Sequence, residues 1–211
     1  MKALRPLLLC GVFVFLFVFS AHAQNIIVNG DFEAPPHFPS STVTGWTVMG
    51  NVLTDASEGA TSGSYSAIFD DGESSQGNML FQSFATTPGV IYTLEFDAAV
   101  AGKPDSFLQL QVQVTGNMLL FDQTLSPPVS NSFDPAQTFT DFSQYHFTYT
   151  FTADSASTTL KFTDIGSANA VADVVLDTVS VMIPEASAIQ LTIFGAGVLF
   201  GFLVLTRKFQ A

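Results

Sequence analysis

Between Asn25 and Met182 apolar side chains recur at every second position, the spacing that puts alternate residues on one face of an extended strand. Val90, Tyr92, Leu94, Phe96 and Ala98 make one such set. Leu108, Leu110, Val112 and Val114 make another, in a strand expected over Phe107 to Thr115. Tyr145, Phe147, Tyr149 and Phe151 share a third face, and Leu160, Phe162, Val175 and Val179 carry the pattern into the last strands. Turn chemistry separates these runs, at Thr87-Pro88-Gly89, Gly102-Lys103-Pro104-Asp105 and Ser126-Pro127-Pro128, and Asp70-Asp71-Gly72-Glu73 reads as a hairpin turn. A surface loop is expected from Leu125 to Thr140, and Trp46 is expected in the core. Nine or ten short strands, each apolar on one face, with no helix to cover a parallel sheet, predict an all-β antiparallel sandwich, best matched by a jelly roll.

The two ends follow a different pattern. Lys2 and Arg5 precede an unbroken apolar run from Leu7 to Phe19, followed by Ser20-Ala21-His22-Ala23. That order is the plan of a secretory signal peptide, with Ala21 and Ala23 as the small residues before a cut at Gln24. Near the other end Pro184 and Glu185 precede an uncharged stretch from Ala188 to Thr206, and Arg207 and Lys208 follow it. Nineteen helical residues span about 28 Å, enough to cross a bilayer core. The terminal basic pair predicts a cytoplasmic end, leaving the β domain on the far side of the membrane. The expected domains are thus 1–23, 24–182 and 183–211.

Charge and cysteine usage narrow the chemistry. Cys10 is the only cysteine and lies in the leader, so the mature chain has no thiol for a disulfide or a metal. From Gln24 to Met182 the only basic residues are Lys103 and Lys161, against 17 Asp and Glu, a formal charge of −15. A surface of that sign repels phosphate, so nucleic acid is excluded as a partner. Catalysis has little support: only His37 and His146 remain after the leader, and no Gly-x-Ser-x-Gly, His-Glu-x-x-His or Gly-rich phosphate loop occurs. Asp70, Asp71 and Glu73 are the densest acidic cluster, but carboxylates without a known separation define no reaction.

Gln109, Gln111 and Gln113 fall on one strand face beside Phe107, and Gln144 and His146 form a second polar stripe. Amides for hydroxyl groups plus an aromatic ring for C–H groups is what a sugar site requires, although a glutamine row is also what a solvated strand face looks like.

Two resemblances follow from these residues. Pro184-Glu185, the single apolar helix and Arg207-Lys208 resemble the PEP-CTERM sorting signal, with Ala186 where a second Pro usually stands. That resemblance implies export by a Gram-negative bacterium, transient anchoring in the inner membrane, and cleavage near Pro-Glu by an exosortase-type enzyme, often alongside exopolysaccharide. An uncut C-terminal anchor would show the same hydrophobic plan. In the middle region, Asn29-Gly30-Asp31-Phe32-Glu33, Gly45-Trp46, Ser62-Gly63-Ser64, Pro88 to Phe96, Tyr145 to Ala153 and Leu176-Asp177-Thr178-Val179 succeed one another in an order that resembles the galactose-binding-like jelly rolls of carbohydrate-binding modules. The resemblance implies a non-catalytic domain at the cell surface or in the matrix that binds extracellular polysaccharide. It also implies a structural calcium near Asp31, Glu33 and Asp177, hard oxygen ligands of the kind calcium prefers. A spacer or adhesin that contacts proteins and binds no sugar is the competing expectation.

Overall fold

The computed structural model describes residues 24–70, 76–102, 108–130, 145–166 and 172–183. The leader, the sorting segment from Pro184 onward, Phe107, Gln144, Asp71 and Glu73 lie outside the described residues. Among the described residues no helix is long and apolar enough to cross a membrane.

Two sheets face each other. The first is ordered β1 (Thr47–Met49), β4 (Met79–Ala85), β10 (Ser157–Asp164), β6 (Leu110–Thr115) and β7 (Leu119–Leu125). The second is ordered β2 (Val52–Asp55), β3 (Ser66–Phe69), β11 (Ala172–Met182) and β5 (Ile91–Gly102). The far edge of β5 takes β9 (His146–Thr152) along Ile91 to Asp97 and β8 (Val129–Ser130) at Val100 and Ala101. Every pairing is antiparallel except the two-residue contact of β8 with β5. The chain switches sheet from β1 to β2, β3 to β4, β4 to β5, β5 to β6, β7 to β8, β9 to β10 and β10 to β11, the connectivity of a jelly roll.

The alternation in the sequence explains the core. Tyr92, Leu94, Phe96 and Ala98 of β5 meet Leu110, Val112 and Val114 of β6 and Leu160 and Phe162 of β10 in one cluster. Phe96 packs its ring on Phe147 and Tyr149 of β9 and edge-on against Phe162. Each such fully buried side chain contributes roughly 1.5–3 kcal/mol, which suffices for a domain with no disulfide. Trp46 is buried in this cluster as expected, its indole N–H donating to the Asn29 carbonyl.

Three expectations are corrected. Val175 faces out of the sandwich, because Val174 and Leu176 point in and the register shifts between Asp177 and Ser180, so that Val179 and Val181 face inward again. Thr178 sits in that bulge with φ 51°. Tyr145 precedes β9 and packs on Ala99, apart from the main core. β3 and β4 belong to different sheets, so no hairpin joins them across Asp70 and the residues that follow.

Candidate functional site

The outer face of the five-stranded sheet is built by the residues that alternate with its core positions. Register aligns Thr47, Phe81, Lys161, Gln113 and Asp122 in one row across β1, β4, β10, β6 and β7. A neighbouring row holds Met49, Met79, Thr163, Gln111 and Thr124. Neighbouring strands lie about 4.8 Å apart, so each row crosses roughly 19 Å of sheet. That length suits an oligosaccharide better than a single sugar.

Hydrogen bonds fix the polar groups of this face. Gln111 and Gln113 donate their amide N–H groups to the two carboxylate oxygens of Asp122, at 2.9 and 3.1 Å. Both glutamine carbonyls are thereby oriented away from Asp122 as acceptors. Ser83 and Thr159 join their hydroxyls at 2.7 Å, and the buried Thr163 hydroxyl has no hydrogen-bond partner among the described residues. Phe81 and Met79 are half-buried and supply apolar surface beside these groups. Gln109 continues the glutamine row just before β6.

His146 lies elsewhere. It begins β9 on the outer face of the opposite sheet, its Nδ1 2.7 Å from the Asp97 carboxylate. The glutamine row and His146 therefore do not share a site, because the strands that carry them belong to different layers. The face around His146 carries Asp55, Glu95, Asp97, Asp173 and Asp177, and no lysine among the described residues. Among the described residues the strands of the glutamine face carry Asp122 and Lys161 as their charged outward side chains. Among the described residues the outer faces of the two sheets thus differ in charge.

No family model matches the chain, and no curated protein matches it. Among solved structures, the N-terminal cellulose-binding domain of a Cellulomonas fimi β-1,4-glucanase superposes with TM-score 0.50 at 18% identity, over 77% of this chain and 99% of that one. The chain has the fold of a carbohydrate-binding module. A module solved with β-1,4-galactotriose (TM-score 0.49, 13% identity, 76% and 99% covered) and a family 16 module (TM-score 0.46, 19% identity, 74% and 99% covered) are similar to it as well. At these identities the likeness is one of fold.

The module fold brings Glu33 and Asp177 to one loop. Asp177 Oδ2 accepts from Thr61 N at 2.7 Å, Thr61 Oγ1 at 3.0 Å and Ser62 N at 2.9 Å, while Oδ1 accepts from Thr178 N at 2.7 Å. Glu33 Oε1 accepts from Ser64 N and Tyr65 N. Gly63 between them has φ +69°, and a Cβ there would strike the Glu33 carboxylate. Two carboxylates thus hold the loop 61–65 against the sheet. Burial pushes the Asp177 carboxyl up to about 7, against the pull of those four donors. Asp31 is exposed, and among the described residues no group of three or more His, Cys, Asp or Glu is placed to hold a metal ion.

At the end of β10, burial and the neighbouring Asp70 charge raise the Asp164 carboxyl to about 6, opposed by donors from Gly166 and Asn78. A folded-state value above the unfolded one near 3.9 means that the folded chain holds the proton more tightly. Its contribution to stability is complete below about pH 4 and is lost as pH rises through 6. The domain is expected to melt higher at pH 5 than at pH 8, with on the order of 1 kcal/mol from this group; Asp177, raised further, adds to the same trend, so Asp164→Asn is expected to narrow the difference without removing it. A melting temperature that rises over the same interval would contradict this assignment.

Expectation from sequence missed Phe81, Lys161 and Asp122. The alternation of Met79, Phe81, Ser83 and Ala85 was available as a signal, but only the sheet register places these residues beside the glutamines.

Proposed function

We propose that the chain is an exported, non-catalytic protein of the cell surface or matrix whose sandwich binds extracellular polysaccharide on the outer face of its five-stranded sheet. The observation that carries this reading is the row of Phe81, Lys161, Gln113 and Asp122, where an apolar ring lies in line with amides whose orientation is already set. Groups held in place before binding lose little entropy when a ligand arrives. In this reading Gln109, Gln111 and Gln113 are the hydroxyl partners, and His146, which Asp97 engages on the other layer, is not. The fold shared with a cellulose-binding domain supports the same reading.

Export rests on the leader, with its cut between Ala23 and Gln24, and on the tail from Pro184, which an exosortase-type enzyme would process in a Gram-negative host. Retention of the full chain, in mild detergent, on immobilised polysaccharides tests the binding. Phe81→Ala is expected to abolish it, whereas retention on cell-wall protein with indifference to every glycan would favour the spacer or adhesin.

Calcium, which the sequence resemblance implies near Asp31, Glu33 and Asp177, would be held by Glu33 and Asp177 with carbonyl oxygens of the loop between them, a set of hard ligands, while Asp31 is exposed. A ligand bound only to the folded state stabilises it, so chelation is expected to lower the melting temperature by several degrees. An unchanged melting curve would leave the two carboxylates as anchors of the loop alone.

A further inference from the structure

Among the described residues Lys161 is the one base on the glutamine face, at the centre of its middle strand. Phe81 flanks it on β4 and Gln113 on β6. Its ammonium has no carboxylate in ion-pair range among the described residues. Asp122, the single acid of the face among the described residues, stands two strands away, about 10 Å by sheet spacing, and both its oxygens are taken by Gln111 and Gln113. A half-buried lysine with no ion-pair partner among the described residues, set in a row of amides and an aromatic ring, offers a fixed point of positive charge to whatever lies along that row.

The rest of the domain limits what that partner can be. With a formal charge of −15 from Gln24 to Met182, the domain repels a polymer that is charged at every unit. One cation matches one anion, and the neighbouring glutamine carbonyls and hydroxyls match neutral sugars. Resting on the binding reading above, we infer that Lys161 makes this face selective for a polysaccharide whose uronate residues are spaced by neutral sugars. The uronate carboxylate lies over Lys161, and neutral units lie along Phe81 on one side and Gln113 on the other. Charge complementarity of this kind discriminates between ligands more than it adds affinity, so neutral polymers are still bound, but less well.

Gellan, whose glucuronates are separated by neutral sugars, and the same polymer after carboxyl reduction differ only in that charge. The full chain is expected to bind native gellan about fivefold tighter than the reduced form, with the gap closing as salt is raised. Lys161→Gln is expected to remove the preference, the two gellans then binding alike, while the variant melts at the same temperature as the parent chain. Polygalacturonate, charged at every unit, is expected to bind more weakly than gellan. Equal binding of both gellans by the parent chain, or a preference that survives Lys161→Gln, overturns the uronate assignment and leaves the binding reading standing. A sulfated galactan held through Lys161 in place of gellan overturns the choice of carboxylate. Retention of neither gellan nor any neutral glycan overturns the binding reading and this inference together.

Discussion

Asp177→Ala is expected to cost the domain about 3 kcal/mol, the sum of leaving several buried donors without an acceptor. The donors are the amides of Thr61, Ser62 and Thr178 and the Thr61 hydroxyl, all within 3.0 Å of the Asp177 carboxylate. Asp177 is 1% exposed, so water cannot replace the lost oxygen without opening the loop. In a domain of this size that loss corresponds to a fall in melting temperature of roughly 6–12 °C. Asp177→Asn keeps a side-chain oxygen where Oδ2 receives three of the four donors, and is expected to retain most of the stability. Thermal unfolding followed by circular dichroism decides the matter. An alanine variant that melts within about 1 °C of the parent would show that the carboxylate does not hold the loop.

The second large effect concerns binding. Replacing both Gln111 and Gln113 by Ala removes two oriented acceptors and frees the Asp122 carboxylate they now cover. A bare carboxylate two strands from Lys161 would repel a uronate as well as lose the hydroxyl contacts. The double variant is expected to bind polysaccharide at least about 30-fold more weakly, at about 1 kcal/mol for each lost hydrogen bond with the added repulsion. Asp122→Ala alone is expected to weaken binding less, since it releases the glutamines without deleting them. Titration of the full chain with gellan measures both, and an affinity unchanged in the double variant would remove the glutamines from the site. Both effects are independent of the loop at Asp177, which belongs to the other layer.

Much of the sandwich is written in the chain as period-two alternation, and β5, β6 and β9 follow it residue by residue. The failures have local causes. A bulge is a one-residue change of parity, and nothing in Leu176-Asp177-Thr178-Val179 distinguishes a strand that continues from one that shifts, so Val175 was placed on the wrong face. In β4, Met79-Leu80-Phe81 is apolar on both faces, which hides the alternation because Phe81 points outward while Leu80 fills the core. The glutamine row was visible because it lies within one strand. Lys161 and Asp122 were visible as charges but not as neighbours, since β10 and β6 meet only through pairing between segments more than forty residues apart. For the same reason the stripe that holds His146 is legible but not its place: polarity along a strand can be read, and the layer to which the strand belongs cannot.

The glutamine face can be tested by hydroxyl-radical footprinting of the full chain with and without gellan, reading modification by mass spectrometry. Binding on this face protects Met49, Met79 and Phe81, which lie in its two rows, and leaves His146 on the opposite layer as reactive as before. Protection centred on His146 and β9, with Met79 and Phe81 unchanged, would contradict the account.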